Sequence, residues 1–233
     1  MSVENIVKER LIIFTRYPEP GKTKTRLIPA LGAEQAALLQ RQMTEHTLTQ
    51  VRKLHSMRPI AVEIRFAGGD LNLMTQWLGS GDYKSQGEGD LGTRMARSLC
   101  RAFEDNVNAV IIGTDCPGLN ANLLHEAFEL LHLYDLVLGP ALDGGYYLLG
   151  LRSFIPELFV GINWSTAEVL QQTVAIAQQL NLSVNYLPAL ADVDRPEDLP
   201  VWEQMSVKIA GGGKGDRGLG AGGEDFNNYS DFQ

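Results

Sequence analysis

The sequence predicts a three-layer α/β/α fold built around a mostly parallel, Rossmann-like sheet. Two observations support this prediction. Short β-rich runs alternate along the chain with longer segments in which apolar residues recur every three or four positions. The chain has 233 residues, 44% of them hydrophobic, which is enough to bury a full core in one domain. Strands that alternate with helices of this length indicate a mostly parallel sheet covered on both faces.

The predicted elements follow one another regularly along the chain. Six strands are expected, at LIIFT (11–15), IAVEIRF (60–66), AVIIGT (109–114), DLVLGP (135–140), YYLLGL (146–151) and SVNYLP (183–188). Helical periodicity fills the spaces between them. It is carried by four apolar stripes, on 33–55, on Met95, Leu99 and Phe103, on 123–134 and on 169–180.

The C-terminal part is predicted to close the fold and then to lose regular structure. Residues 191–205 have the pattern of a loop followed by a short helix that begins near Pro196. Residues 208–233 contain eight of the chain's 24 glycines and almost no apolar residues, so burial cannot offset the entropy cost of ordering them. We therefore predict one domain over 1–207 and a flexible, Gly-rich tail over 208–233.

Composition excludes several classes of partner. The net charge is −8 and the pI is about 5.0, which argues against a nucleic-acid partner because such proteins need basic surfaces. No apolar run approaches the ~18 residues that a membrane helix needs, and no export signal is visible, so no membrane is predicted. Cys100 and Cys116 lack the spacing of metal ligands or of a disulfide framework, which fits a reducing cytoplasm.

The segment FTRYPEPGKTKTR (14–26) resembles a nucleotide-binding P-loop because it contains Gly-Lys-Thr at 21–23. A P-loop needs a glycine five residues earlier, where this chain has Arg16. A proline and a glycine also interrupt the long helix that would have to follow. The segment is therefore not a P-loop.

The same segment is still a candidate phosphate-binding site. If it is extended, Lys22, Lys24 and Arg26 point to one side, with Arg16 close by at the end of the first strand. In an open α/β sheet ligands bind at this carboxyl edge, so a polyphosphate is the expected guest. The alternative is a solvated basic loop, since charge runs usually face solvent.

Acidic residues at two other places are candidate metal ligands. Asp115 follows the predicted strand 109–114, and Mg²⁺ usually takes one or two protein carboxylates. Asp192 and Asp194 are two residues apart and can point the same way from an extended segment. Asp198 is expected at the first turn of the closing helix, where the helix dipole favours it. The alternative for Asp115 is a turn or helix-capping aspartate.

The sequence Asp143-Gly144-Gly145 is a candidate floor for an acceptor molecule. Its glycines would let the backbone approach a ligand closely. The alternative is a hairpin turn of the Asp-Gly type, which has a strong local signal of its own. The residues alone do not decide between these two interpretations.

Two further segments are weaker candidates. In QGEGDLGTRM (86–95), glycines at a predicted helix start free backbone amides that can hold a base edge or an anion, which makes Gly92 a candidate nucleotide-binding residue. In NWSTAEVL (163–170), the spacing of Ser165 and Glu168 predicts a capping box. Trp164 is placed among the candidates that line an acceptor pocket.

The order of these motifs resembles that of a known family. FTRYPEPGKTKTRL, GEGDLGTRM, GTDCPGL, PALDGGYYLLGL, WST and DVDRPEDL, in this sequence and spacing, are similar to the bacterial glycosyltransferase-like family also called radical-SAM/selenodomain-associated transferase 1. The resemblance covers residues 10 to about 205. It extends more distantly to phosphoenolpyruvate and 2-phospholactate guanylyltransferases. Both groups imply the nucleotide-diphospho-sugar transferase fold, known as GT-A, with a mixed sheet.

The resemblance implies roles for individual residues. Lys24 and Arg26 match the basic loop that grips the phosphates of a nucleotide, and Asp115 matches the aspartate that holds Mg²⁺ or Mn²⁺. Asp192 and Asp194 match a late acidic segment that supplies metal ligands. Gln86 stands where nucleotidyltransferases often place a residue that reads the base. Sugar nucleotidyltransferases have a glycine-rich stretch where this chain has Arg-Tyr-Pro, so the base is not implied.

Three functions remain open at this point. The first is a metal-dependent nucleotidyltransferase that joins a nucleoside triphosphate to a small phosphorylated acceptor. It is favoured because such an acceptor needs no deprotonation, so positioning and charge suffice. The second is a glycosyltransferase that uses a nucleotide-sugar donor, and the third is a non-catalytic nucleotide or sugar-phosphate sensor. The expected partners are a nucleotide and a small acceptor, and no oligomeric state is predicted.

Overall fold

The structure is a computed structural model that describes residues 9–105 and 107–211. A single sheet of seven strands crosses its centre in the order β3-β2-β1-β4-β6-β5-β7. The strands are β1 (Glu9–Arg16), β2 (Ala61–Ala67), β3 (Asp82–Ser85), β4 (Asn108–Ile112), β5 (Leu136–Pro140), β6 (Tyr146–Leu151) and β7 (Val184–Tyr186). Strand β6 runs antiparallel to its neighbours β4 and β5, and the other neighbouring pairs are parallel.

Helices cover both faces of this sheet. They are α1 (Ile28–Leu31), α2 (Ala33–Met57), α3 (Leu71–Leu78), α4 (Leu91–Phe103), α5 (Ala121–Leu130), α6 (Val169–Gln179) and α7 (Leu199–Gly211). Helices α2, α3 and α5 pack on one face, and α4 and α6 on the other. The predicted three-layer α/β/α fold with a mostly parallel mixed sheet is confirmed. Over the described part of the chain, no helix combines the length and the apolar character needed to cross a membrane.

Two apolar cores lie on the two faces because side chains alternate along each strand. On β1, Leu11 and Ile13 point into the core under α2, α3 and α5, while Ile12 and Phe14 point into the core under α4 and α6. A third cluster packs Leu27 and the first half of α2 against the residues around Val193. This third cluster brings the N-terminal loop to the closing segment of the chain.

Side-chain caps set where three helices begin. Asp70 accepts a hydrogen bond from the amide of Leu73 at 2.9 Å and starts α3. Asp90 accepts one from the amide of Thr93 at 2.7 Å and starts α4, and Asn120 does the same for α5. Such caps satisfy backbone donors that have no partner inside the helix. The cap at Asp90 fixes the end of α4 that lies at the carboxyl edge of the sheet.

The structure contains elements that the sequence pattern did not indicate. Helix α3 and strand β3 fill the region after β2, where no element was predicted. Helix α7 continues to Gly211, so it enters the segment 208–233 that was predicted as a flexible tail. The remainder of that tail, 212–233, lies outside the described residues.

Strand β2 carries charged side chains into the interior. Glu63 and Arg65 are two residues apart on the same face, and their side chains are only 2% and 1% exposed. Arg65 Nε donates to Glu63 Oε1, and Lys84 Nζ on β3 lies 2.7 Å from Glu63 Oε2. These three residues form the β2–β3 charge network near one edge of the sheet.

Candidate active site

A cleft of about 1090 Å³ lies along the carboxyl edge of the sheet. It is lined where β1, β4 and β5 end, by the loop that follows β1, by the start of α4, and by the segments 164–167 and 191–198. Ligands of open α/β sheets bind at this edge. The predicted site residues that line it are Arg16, Lys22, Lys24, Arg26, Gln86, Asp115, Asp143, Gly145, Trp164, Asp192 and Asp194.

The basic loop after β1 is not extended, which corrects the expectation that its side chains share one side. Lys24 adopts a left-handed backbone conformation with φ 46°, and residues 25–27 form a 3-10 turn. The Lys24 side chain turns inward and is only 3% exposed. Its Nζ donates to the carbonyl of Val193 at 2.6 Å and lies 2.8 Å from Asp115 Oδ1. One ammonium group therefore joins three separate loops.

The other basic side chains of this loop stay near the surface. Lys22 is 71% exposed and pairs with Glu19 at 2.7 Å, as expected for a solvated charge. Arg26 is also exposed and pairs with Asp194 across the cleft. Surface pairs of this kind contribute little to stability, so a ligand can displace them at small cost. The loop therefore combines one buried cation with exposed ones.

Several carboxylates lie close to Asp192 in the cleft. Burial, reinforced mainly by the charge of Asp143, raises the pKa of Asp192 to about 6. Burial also raises the pKa of the Cys116 thiol, with further contributions from Asp115, Asp192 and Asp143. Asp143 therefore acts on both Asp192 and Cys116, whereas Asp115 acts on Cys116. Within the described residues, no group of three or more His, Cys, Asp or Glu side chains has the arrangement of a metal site.

The closing segment is fixed by Asp198. Its Oδ2 accepts hydrogen bonds from the amides of Asp194 and Arg195, at 3.0 and 2.7 Å. Asp198 ends the 3-10 turn just before α7, in agreement with its predicted place at the first turn of the closing helix. The backbone that carries Asp192 and Asp194 is thereby anchored.

The Asp143-Gly144-Gly145 turn joins the antiparallel strands β5 and β6, so the hairpin interpretation is correct. Asp143 Oδ1 accepts from the amide of Gly145 at 2.9 Å, and both residues line the cleft. Gly144 does not line the cleft. An added Cβ at Gly144 would lie 2.2 Å from the carbonyl oxygen of Ala167, so this glycine serves packing against the segment before α6.

Gln86 is a buried connector. Its Nε2 donates to the carbonyls of Thr15 and Arg65, at 2.9 and 3.1 Å, and its Oε1 accepts from Arg94 Nη1 at 2.8 Å. Both amide hydrogens are therefore engaged inside the protein, which does not favour the predicted role in reading a base. Its partner Arg94 lines the cleft and was missed by the sequence analysis.

Gly92 packs against the ring of Trp164, which lines the cleft. A Cβ on Gly92 would lie 2.2 Å from the Trp164 ring, so only a glycine at this position leaves room for the indole. Gly92 itself does not line the cleft.

The predicted capping box between Ser165 and Glu168 is wrong. Ser165 has φ 66°, and α6 starts one residue after Glu168 without a side-chain cap. The helix starts too late for Ser165 to be its N-cap.

Solved structures share this fold. A protein of Desulfovibrio desulfuricans G20, provisionally named a nucleotide-diphospho-sugar transferase, is 38% identical, with a TM-score of 0.79 over 84% of this chain and 86% of its own. CMP:2-keto-3-deoxy-manno-octonic acid synthetase in complex with CTP is 10% identical, with a TM-score of 0.52 over 87% and 99%. Rv0371C of Mycobacterium tuberculosis H37Rv in complex with manganese is 13% identical, with a TM-score of 0.52 over 85% and 97%.

The two more distant likenesses show the fold alone, and the 38% identical relative identifies it as a nucleotide-diphospho-sugar transferase fold. No curated protein matches the sequence. The finer resemblances to radical-SAM-associated transferases and to guanylyltransferases stay predictions. Residues 48–166 match the family DUF2064, described as "Uncharacterized protein conserved in bacteria". With this match over half of the chain and the 38% identical relative, the chain belongs to the DUF2064 family.

Proposed function

We propose that this protein is a nucleotidyltransferase that uses Mg²⁺ or Mn²⁺, a nucleoside triphosphate and a small phosphorylated acceptor. The observation that carries the proposal is the position of Lys24. Its buried ammonium group lies 2.8 Å from Asp115 at the carboxyl edge of the sheet and donates to the carbonyl of Val193, the residue between Asp192 and Asp194. Cations and carboxylates placed together in this way suit a metal–phosphate ligand.

The carboxylates fit a hard divalent cation. Asp115 and Asp192 offer oxygen donors, and Mg²⁺ commonly uses one or two protein carboxylates together with water and substrate phosphates. The raised pKa of Asp192 reports burial and the charge of Asp143, both of which oppose a second negative charge there. A cation would relieve this repulsion. When bound, it would neutralise charge on the phosphate oxygens.

The basic residues have separate tasks in this proposal. Lys24 holds Asp115 in place and adds positive charge at the same point. Arg26 is exposed and can exchange its partner Asp194 for a phosphate, because a guanidinium binds phosphate in a bidentate manner. Asp194 then becomes available as a metal ligand. Asp143, Gly145 and Trp164 line the part of the cleft where we place the acceptor.

Nucleotidyl transfer is preferred because a phosphorylated acceptor already carries an ionised oxygen. None of the cleft residues that the structure describes is a histidine, the commonest general base. Glycosyl transfer is the second candidate. It is favoured by the name given to the Desulfovibrio relative and by Asp192, whose pKa of about 6 suits a general base for an acceptor hydroxyl.

The test is thermal unfolding with each common nucleoside triphosphate and nucleotide sugar, with and without Mg²⁺ or Mn²⁺, followed by assays of pyrophosphate release. A ligand at 100 times its Kd adds about 2.7 kcal/mol of stability. We expect one triphosphate to raise Tm by several degrees with metal, and Asp115→Asn to abolish the shift. Glu157→Gln removes an exposed charge elsewhere and serves as the control.

The remaining outcomes decide among the alternatives. Release of a nucleoside diphosphate from a nucleotide sugar, without pyrophosphate release from any triphosphate, would favour glycosyl transfer. Nucleotide binding that is retained in Asp115→Asn, together with no turnover by the unsubstituted protein, would favour a sensor. Absence of metal-dependent nucleotide binding would contradict the proposed function.

A further inference from the structure

Among the residues that the structure describes, three arginines of the cleft make no ion pair, namely Arg16, Arg94 and Arg195, and the first two concern us here. Over the described part of the chain, neither Arg16 nor Arg94 makes an ion pair, whereas Lys22, Lys24 and Arg26 each do. Arg16 is exposed at the end of β1, and its Nη1 reaches the carbonyl of Lys22 at 3.4 Å. Arg94 is partly buried in the first turn of α4. Both line the cleft, and the nearby Asp90 carboxylate acts on Arg94 without forming an ion pair with it.

The Arg94 guanidinium is held in a fixed orientation. Its Nη1 donates to Gln86 Oε1 at 2.8 Å, and its Nε donates to the carbonyl of Asp90 at 3.2 Å. Gln86 is itself fixed by the carbonyls of Thr15 and Arg65. Through Gln86 the backbone next to Arg16 is connected to Arg94. A binding group that is fixed before the ligand arrives loses little entropy on binding.

The Asp90 carboxylate, which is close to Arg94, does not form an ion pair with it. The Asp90 carboxylate accepts from the amide of Thr93 at 2.7 Å, which lowers the pKa of Asp90 and commits it to capping α4. Burial, and then the charge of Arg16, lower the pKa of Arg94. Two guanidinium groups that repel each other across an open cleft are stabilised by an anion placed between them.

We propose that Arg16 and Arg94 form a second anion subsite in the cleft, distinct from the Lys24–Asp115 end, which binds a phosphoryl group. The choice of ligand rests on the proposed function. The phosphoryl group is either the far end of a nucleoside triphosphate or the phosphate of the acceptor. Arginine suits this task because its planar fork donates two parallel hydrogen bonds to one phosphate.

The test measures anion binding directly, without catalysis. The experiment is a calorimetric titration at low salt. The probes are inorganic phosphate, pyrophosphate and the nucleoside triphosphates with Mn²⁺. Each probe is titrated into the parent protein and into the Arg94→Gln and Arg94→Lys variants. Loss of a charge-assisted contact should weaken binding by about tenfold or more. Arg94→Lys should bind at an intermediate level, because it keeps the charge and loses the fork.

Arg101→Gln is the matched control. It removes the same charge from an exposed position on the same helix, and we expect less than a twofold change. Circular dichroism spectra of all variants establish that α4 is intact. Equal affinities of Arg94→Gln and Arg101→Gln for every probe would overturn the subsite, and so would a parent that binds none of the probes.

The probes also separate the two sources of the phosphoryl group. If Arg94→Gln weakens a triphosphate and pyrophosphate but not added phosphate, the subsite takes the end of the nucleotide. If it weakens phosphate binding to the nucleotide-saturated protein and leaves the triphosphate unchanged, the subsite takes the acceptor. Either outcome supports the subsite, and absence of pyrophosphate release in the parent would then count against the proposed function alone.

Discussion

Lys24 shows how strongly one residue depends on its surroundings at this site. A buried ammonium group is costly unless charge and hydrogen bonds compensate it. The carboxylate of Asp115 supplies the charge, and the carbonyl of Val193 accepts a hydrogen bond. The same contacts that make burial tolerable also hold the cleft loops together. Stability and site geometry are therefore coupled at this residue.

Lys24→Met should lower the free energy of unfolding by about 1–3 kcal/mol, because it leaves the buried Val193 carbonyl without a donor. Urea denaturation of the two proteins measures the difference. Lys22→Met is the control, since that side chain is 71% exposed and its pair with Glu19 should contribute at most about 1 kcal/mol. Equal losses for the two variants would mean that the Lys24 contacts contribute no more than a surface pair.

Asp192 should make stability depend on pH. Its pKa of about 6 in the folded protein lies above its ordinary value of 3.8, so its stabilising contribution is complete below about pH 4 and is lost as pH rises through 6. Without divalent metal, Asp192→Asn should raise Tm at pH 7.5 and leave it unchanged at pH 4. Scans in EDTA test this, with Glu157→Gln as the control. An equal effect at both pH values would contradict the raised pKa.

Sequence reasoning found residues at strand ends and missed those whose role depends on side-chain direction. Asp115 was predictable to lie at the cleft because the carboxyl ends of parallel strands share one edge. Arg94 was not, since no pattern tells which polar residue of a helix start faces the ligand. The inward turn of Lys24 was also hidden, because it depends on a left-handed backbone at a non-glycine residue.

At the scale of elements, the β5–β6 hairpin and the segment before α6 depend on each other. The amide of Leu170 donates to the carbonyl of Gly144 at 3.0 Å, and the backbone of Ala167 covers Gly144. This contact holds the segment that carries Trp164. The hairpin therefore positions a part of the cleft that it does not itself form.

Gly144→Ala should cost about 1–3 kcal/mol more than Gly161→Ala, because its methyl group would overlap backbone atoms. Both glycines have positive φ, 91° and 73°, but Gly161 has no atom within 4 Å of an added Cβ. The comparison of their unfolding free energies thus separates steric overlap from backbone strain. A similar loss of unfolding free energy at both positions would mean that the backbone at Ala167 can move away from the added methyl group at little energetic cost.

The β2–β3 charge network predicts a strong asymmetry between single and double substitution. Glu63→Leu should destabilise the protein by about 3–5 kcal/mol, because it leaves the buried Arg65 without a counter-charge. Glu63→Leu combined with Arg65→Met should recover most of this loss. Asp82→Asn, which removes the exposed partner of Lys84 at 3.2 Å, is the control for surface charge. A double variant as unstable as the single one would contradict this account.

Element prediction succeeded where the periodic pattern was long. Helix α2 and the central strands carry many apolar residues at regular spacing, so their existence followed from the sequence. Helix α3 and strand β3 are short, with eight and four residues, and β3 is half exposed at the sheet edge. Strand β3 is stabilised by pairing with β2, and α3 by packing its buried residues against the core on that face, and no local pattern displays either contact.

At the scale of the whole molecule, one sheet separates two apolar cores. Leu11 and Ile12 are neighbours in sequence but belong to opposite cores, so neither core can melt without disturbing the other. We propose on this ground that 1–207 is a single domain. The family resemblance supplied the GT-A fold name, whereas the layer order followed from strand–helix alternation alone.

Calorimetry should therefore show one unfolding transition, with a calorimetric enthalpy equal to the van't Hoff enthalpy. The full-length protein without ligand is suited to this measurement. Two resolved transitions, or a van't Hoff enthalpy well below the calorimetric one, would contradict a single domain.

The hydrogen bond between Lys24 and the Val193 carbonyl spans 169 positions of the chain. The time at which this cleft contact can form therefore depends on the order in which the chain is synthesised. At about 5–20 residues per second, a ribosome needs roughly 8–34 s to add the residues between these two partners. During that interval the nascent chain has β1 and its basic loop but no acceptor for the buried ammonium. The cleft contact between Lys24 and Val193 can therefore form only after residue 193 has been synthesised, and every shorter nascent chain lacks it.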